Sequence, residues 1–171
     1  MPSKFYLRKL QLKDAPLMLE WMHDDRVVHY MGKDFSIMTL MDCESFIRSC
    51  VDESINVHRA IVSDDDGYLG TVSLKNIDHE RFDAEFAITV RKAAMGTGAS
   101  TFAIKAIIDY GFLKLGLKSI YWYVSKENIR AVKFYDKNRY ARVDASQVAV
   151  SSEIEDTERK YIWYKVGANN R

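Results

Sequence analysis

The sequence predicts a mixed α/β (α+β) domain, with a mostly antiparallel central sheet of about seven strands and helices on both faces. Three observations carry this. Residues 57–90 show period-two alternation in three successive runs, the pattern of half-buried strands. Two helical segments downstream each lead back into a strand. No internal repeat, low-complexity run or Pro/Gly-rich linker interrupts the 171 residues, so a single domain over 1–171 is expected.

The elements follow in order. Lys4 to Gln11 alternates as a strand, with Phe5 and Leu7 on one face and Tyr6, Arg8 and Leu10 on the other. Asp14 is placed to cap a helix through about Asp24. A second helix is expected from Ile37 to Asp52, with Met41, Phe46, Ile47 and Cys50 on its apolar side. Val57 to Val62 is a strand, Asp65-Asp66-Gly67 a hairpin turn and Tyr68 to Leu74 the returning strand. Phe82 to Val90 forms the third strand of this run. In the next helix Ile104, Ile107, Ile108, Gly111, Phe112 and Leu115 make a core-facing stripe, and Gly116 sits where a helix-ending glycine belongs. Ile120 to Val124 is a strand and Asn128 to Lys137 a short helix; Tyr140 to Val148 and Lys160 to Val166 close the sheet. This order is not that of a dinucleotide-binding fold.

Composition narrows the function. The net charge of +1 gives no reason to expect nucleic acid or an anionic membrane as a partner. No apolar run approaches the roughly 20 residues of a membrane span. Met1 to Leu12 lacks the apolar centre of a signal peptide, so a cytoplasmic protein is expected. Cys43 and Cys50 lack C-x-x-C spacing and have no His at ligand distance in sequence; they read as packing residues. The four histidines are scattered, and no metal is expected.

The segment from Val90 to Ser100 joins a buried strand to a helix through Met95-Gly96-Thr97-Gly98-Ala99-Ser100. Two glycines one residue apart permit a sharp turn that exposes successive N–H groups. With the positive end of the helix, those groups suit a pyrophosphate. The glycines could equally serve the turn alone. No G-K-[ST] follows, so this is not a Walker loop, and the third glycine of a Rossmann fingerprint is missing.

In this arrangement the chain resembles the GNAT acetyltransferases, whose acetyl-CoA motif is a strand, R/Q-x-x-G-x-G/A and a helix. The resemblance extends to Tyr68-Leu69-Gly70-Thr71-Val72-Ser73-Leu74 and to Asn128-Ile129-Arg130-Ala131-Val132-Lys133-Phe134-Tyr135. The opening Leu7-Arg8-Lys9-Leu10, with Leu19-Glu20-Trp21 and Val27-Val28-His29-Tyr30-Met31, is similar to the ribosomal-protein N-acetyltransferase branch. Three departures stand out. Met95 replaces the usual Arg or Gln, Ser100 replaces Gly or Ala, and Arg139-Tyr140 replaces a Gly-Phe pair.

The resemblance implies a single-domain GNAT fold with acetyl-CoA as co-substrate. It implies that backbone groups of Ile88, Thr89 and Val90 pair with the pantetheine arm and that Met95, Gly96, Thr97, Gly98, Ala99 and Ser100 form the pyrophosphate turn. Asn128 and Ala131 match further cofactor contacts. Tyr135 matches the tyrosine that points at the sulfur, where a phenol can act as general acid toward the departing thiolate; its other reading is a core aromatic beside Phe134. Glu85 is the general-base candidate. Alternation sets Asp83 and Glu85 opposite Ala84 and Phe86, a carboxylate on a central strand is costly to bury without purpose, and Glu85 matches the family's acidic residue. Asp83 could serve instead, and the other reading of Glu85 is a salt bridge at the strand's open end. The acceptor pocket is expected at the first two helices and the loop between the last strands, with Trp21, Arg26 and Tyr30 as substrate-binding candidates. The acidic run from Ser152 to Asp156 reads as a solvated loop.

The function implied is transfer of acetyl from acetyl-CoA directly to a primary amine, first of all a protein N-terminal α-amine. Alternatives are a small amine (an amino sugar, an aminoglycoside or a polyamine) and a non-catalytic acyl-CoA-binding module. Relatives often pair, so a homodimer is a further expectation.

Overall fold

The structure, a computed structural model, describes residues 4–170; residues 1–3 of the Met1–Leu12 reading lie outside them. Seven strands form one sheet in the order β1-β2-β3-β4-β5-β7-β6. They are β1 (Phe5–Arg8), β2 (Val57–Ser63), β3 (Tyr68–Asp78), β4 (Asp83–Val90), β5 (Ser119–Ser125), β6 (Arg142–Val143) and β7 (Tyr161–Gly167). Every pairing is antiparallel except β4 with β5. That exception is what the connecting helix α4 (Ala99–Leu113) requires, because a crossover returns the chain in the same direction.

Each face of the sheet buries its own helices. On one, Ile104, Ile107, Ile108 and Phe112 of α4 pack with Val72, Leu74, Phe86, Ile120, Trp122 and Tyr164, and Tyr135 of α5 (Ile129–Lys137) joins them. On the other, α1 (Ala15–Met22) and α3 (Leu40–Ser49) bury Met18, Trp21, Met22, Cys43 and Ile47 against Ala60, Val62 and Tyr68. A third cluster, Tyr121, Trp163, Ala145 and Val148, covers the second face beyond β5. Gly116, at φ +67°, ends the α4 segment as expected. No helix among the described residues is long and apolar enough to cross a membrane.

Several expectations are corrected. Asp14 does not cap α1 with its side chain. It is buried and takes two hydrogen bonds from the Arg8 guanidinium, both 2.8 Å. The second helix starts at Leu40, where Thr39 and Asp42 cap each other's amides, and Met41 points outward at 75% exposure. A one-turn helix α2 (Asp25–Val28), begun by Asp24 accepting from the Arg26 amide, was not anticipated. Tyr140 to Val148 is not one strand: only Arg142 and Val143 pair with β7. The chain then turns at Ala145–Gln147, held by Asp144 and Gln147. The 144–156 stretch buries Val148 and Ser151, and Asp156 pairs with Arg159 and Lys160 of the short α6 (Thr157–Lys160).

Candidate active site

β4 pairs with β5 only at Asp83–Ser119, Ala84–Ile120 and Glu85–Tyr121, yet β4 continues to Val90 and β5 to Ser125. From Phe86 and Trp122 onward the strands part and leave a wedge. The β5-facing edge of β4 there carries backbone N–H and C=O groups without a strand partner, which need one. Ile88 and Val90 present their backbone groups on this edge, whereas Thr89 between them turns its carbonyl to β3 beside Gly70 and is not free to pair across the wedge.

The glycine turn closes the open end of the wedge. Gly96 and Gly98 have φ of +79° and +93°, which side-chain-bearing residues adopt at a cost. Thr97 donates to the Ala94 carbonyl at 2.6 Å, and its Oγ1 accepts from the Ala99 amide. The amides of Gly96, Gly98, Ser100 and Thr101 have no acceptor among the described residues. Four free N–H groups at the start of a 15-residue helix make a cradle for a diphosphate. Met95 and Ser100 flank it, each half-buried. Arg91, just before the turn, donates to both carboxylate oxygens of Glu20 at 2.9 and 3.0 Å and to the Tyr68 carbonyl at 3.2 Å.

The two catalytic candidates lie on opposite faces of the sheet. Register places Glu85 level with Lys75 and Tyr121, and Thr89 level with Thr71 and, across it, Ala60. Ala60 packs under α1 and α3, so Glu85 opens to that side. Its carboxylate lies 3.3 Å from the Lys75 ammonium. Burial and the Glu85 charge together push the phenols of Tyr121 and Tyr123 upward. Asp83 is bound by Arg81 at 3.0 Å.

Tyr135 is on the α4 side, 6% exposed among Trp122, Tyr164, Phe86, Phe134 and Tyr140. Burial, then the neighbouring Tyr164 and Tyr140, push its phenol well above the ordinary value, so it keeps its proton at neutral pH. Asn128 caps α5 by accepting from the Ala131 amide at 3.2 Å. Its side-chain NH2 has no partner among the described residues.

A cleft of about 420 Å³ lies beside the open end of β5, lined by residues 29–32, 125–127 and 159–161. Of the three acceptor candidates it takes only Tyr30. Trp21 is 6% exposed and donates its indole N–H to the Tyr68 hydroxyl at 3.0 Å. Arg26 is exposed and forks onto Asp24. Sequence reasoning did not single out Arg91, Glu20, Lys75 or Trp122. Their roles depend on strand register and on where β4 and β5 separate, which spacing along one strand does not encode.

A sheet opened between two parallel strands, with unpaired amides at its mouth, has room for an extended cofactor that ends in a diphosphate. A family model described as an acetyltransferase (GNAT) domain matches residues 4–140, and the chain belongs to that family. It is therefore an N-acetyltransferase with acetyl-CoA as co-substrate, and the free edge of β4 and the free amides of the turn fit that donor.

Among relatives, the chain is 33% identical over 122 residues to the spermidine N(1)-acetyltransferase of Escherichia coli strain K12, covering 67% of this chain and 66% of that one. It is 30% identical over 135 residues to an uncharacterized N-acetyltransferase, p20, of Bacillus licheniformis, covering 77% and 75%. The fold is shared with the spermidine N-acetyltransferase of Vibrio cholerae in complex with CoA and spermine: TM-score 0.81, 19% identity, 99% and 98% covered.

Proposed function

We propose that this enzyme acetylates a small primary amine, with a polyamine as the first candidate, and not a protein N-terminus. The similarity to spermidine N(1)-acetyltransferase carries this reading, which replaces the protein-directed one suggested by the opening motifs. The geometry supports it. Tyr121, level with Glu85, and Ser125, at the cleft, are four residues apart on one face of β5, about 13 Å at about 3.3 Å per residue. An acceptor with its reacting nitrogen at Glu85 and its other end in the cleft is long and slender.

Within this reading the donor's arm pairs with Ile88 and Val90, and the amides of Gly96, Gly98 and Ser100 take its diphosphate. Thr97 and Ala99 shape the turn. Glu85 removes the proton of the acceptor ammonium from one side of the sheet. Tyr135, held protonated, donates a hydrogen bond to the departing thiolate from the other. Tyr30 lines the acceptor's path, whereas Trp21 and Arg26 act on it only through packing and the α2 turn.

The cleft also favours a second reading. Lys126, Arg159 and Lys160 line it against Glu127, a rim suited to an amine that carries its own carboxylate. Thiol release from acetyl-CoA, measured across spermidine, spermine, amino acids, short peptides, amino sugars and aminoglycosides, separates the two. The expected outcome is kcat/KM at least about tenfold higher for a polyamine than for any peptide. Turnover confined to carboxylate-bearing amines establishes the second reading, and turnover of peptides alone overturns both. Self-association belongs to the same proposal. A Vibrio cholerae relative has a dodecameric structure, and here Ile37, Met41 and Val51 are left exposed around α3. Light scattering of the purified chain tests it.

A further inference from the structure

We propose that Trp122 limits the acyl group of the donor to two carbons by plugging the inner end of the wedge between β4 and β5. The inference rests on the donor reading above. Pairing of these strands stops at Glu85 and Tyr121, so Phe86 and Trp122 are the first side chains on either side of the opening. Their rings meet edge to face with centroids 5.2 Å apart. Tyr135 packs on both, 5.3 Å from Trp122 and 6.5 Å from Phe86. Tyr164 stacks on the Trp122 ring at 5.6 Å. Trp122 is 2% and Phe86 3% exposed, so the plug is closed.

The direction of the donor brings its acyl group to this plug. The diphosphate cradle lies beyond the C-terminal end of β4. An arm paired along β4 from Val90 back to Phe86 covers four residue steps, about 13 Å at about 3.3 Å per residue. The acyl group is at the far end of that arm and meets the rings of Phe86, Trp122 and Tyr135. Each added methylene must displace close-packed aromatic atoms.

The indole N–H of Trp122 adds a second observation. It is buried without a partner among the described residues, whereas Trp21 and Trp163 donate to Tyr68 and Thr157. Buried donors are normally satisfied; here the ring is packed so closely that its N–H reaches neither solvent nor an acceptor among the described residues.

The test is calorimetric and thermal-shift titration of the full chain with CoA, acetyl-CoA, propionyl-CoA and butyryl-CoA, with no amine present. Acetyl-CoA is expected to bind at least about tenfold more tightly than butyryl-CoA, in line with the discrimination hydrophobic sites achieve per methylene. Trp122→Leu narrows that gap, and Trp122→Phe, which keeps a ring, falls between. Equal binding of acetyl- and butyryl-CoA by the unmutated chain overturns the proposal without any variant having to fold. An unchanged ratio in a folded Trp122→Leu overturns it too. If no CoA species binds, the donor site itself fails and this proposal falls with it, a result distinct from equal binding.

Discussion

Arg91 and Glu20 face each other as a two-bond fork that ties the start of the donor turn to helix α1. Arg91 is the first residue after β4, so its side chain sets where the chain leaves the wedge. The Arg91 side chain is 20% exposed and that of Glu20 46%, so solvent screens the pair and it contributes about 1 kcal/mol or less. Arg91→Ala also loses the bond to the Tyr68 carbonyl. The expected outcome is a KM for acetyl-CoA raised by up to about fivefold, the equivalent of that energy, with kcat nearly unchanged. Steady-state kinetics of Arg91→Ala, Glu20→Ala and the double variant check it, and the double variant should match Arg91→Ala.

Gly70 opposes Val90 at the same end of the wedge. A Cβ there would sit 2.3 Å from the Thr89 carbonyl oxygen and 2.9 Å from the Val90 Cα. Both are backbone atoms, so no rotamer change relieves the clash. Gly70→Ala must push β4 away from β3 where the donor arm pairs. We expect a destabilisation of about 1–3 kcal/mol, as for overpacked cores, together with weaker acetyl-CoA binding. Thermal melts with and without acetyl-CoA measure both effects.

Tyr135 and Glu85 reach the wedge from opposite faces, so their loss should read differently. Tyr135→Phe keeps the ring in its aromatic cluster and removes only the hydroxyl. A fall in kcat of about 100-fold is expected, at the low end of what positioned proton donors supply, with KM for the donor unchanged. Glu85→Gln should lower kcat by more than Asp83→Asn does, because Glu85 is the carboxylate nearer the opening of the strands and Asp83 lies where they are still paired; steady-state kinetics of the two variants check it.

Arg139 follows the end of α5 at φ +64°. The backbone here needs the left-handed conformation, which explains why the family pattern has glycine and why Arg139 carries strain. Arg139→Gly is expected to stabilise the chain by roughly 1 kcal/mol, read as a higher melting temperature with unchanged kcat/KM.

The legible part of this protein was local. The α4 stripe needs only a 3.6-residue period, and Gly96, Gly98 and Gly116 mark positive-φ positions that few other residues fill. Val57 to Val90 was readable because three strands in succession keep period two. What escaped depends on partners distant in sequence. Tyr140 to Val148 alternates like a strand, but β7 pairs with only two of its residues and the rest buries Val148 against Tyr121 and Trp163. Trp21 was a candidate for the acceptor pocket by its place on the first helix, with packing as its other reading, and only the position of Tyr68 on β3, which takes its N–H, decides between them. The point where β4 and β5 separate, which creates the site, has no signature in either strand.

His58 gives the fold a pH dependence of its own. It lies level with Ser73, whose hydroxyl is 2.6 Å from Nδ1, and the Phe46 ring of α3 packs edge-on against it. Burial lowers its pKa from the ordinary 6.5; Lys75 and Arg59 lower it further, and Glu53 opposes them. The folded state therefore resists a proton that the unfolded chain accepts. This stability is fully present above about pH 6.5 and is lost as pH falls from there toward the folded value. Glu53, lowered by Arg59 from 4.5, loses its contribution only in more acid solution, so the interval between about pH 4.5 and 6.5 reports chiefly on His58. Melting temperature should stay level above pH 7 and decline through that interval. His58→Gln should flatten the decline, while a slope unchanged by the substitution would show that the titrating group lies elsewhere.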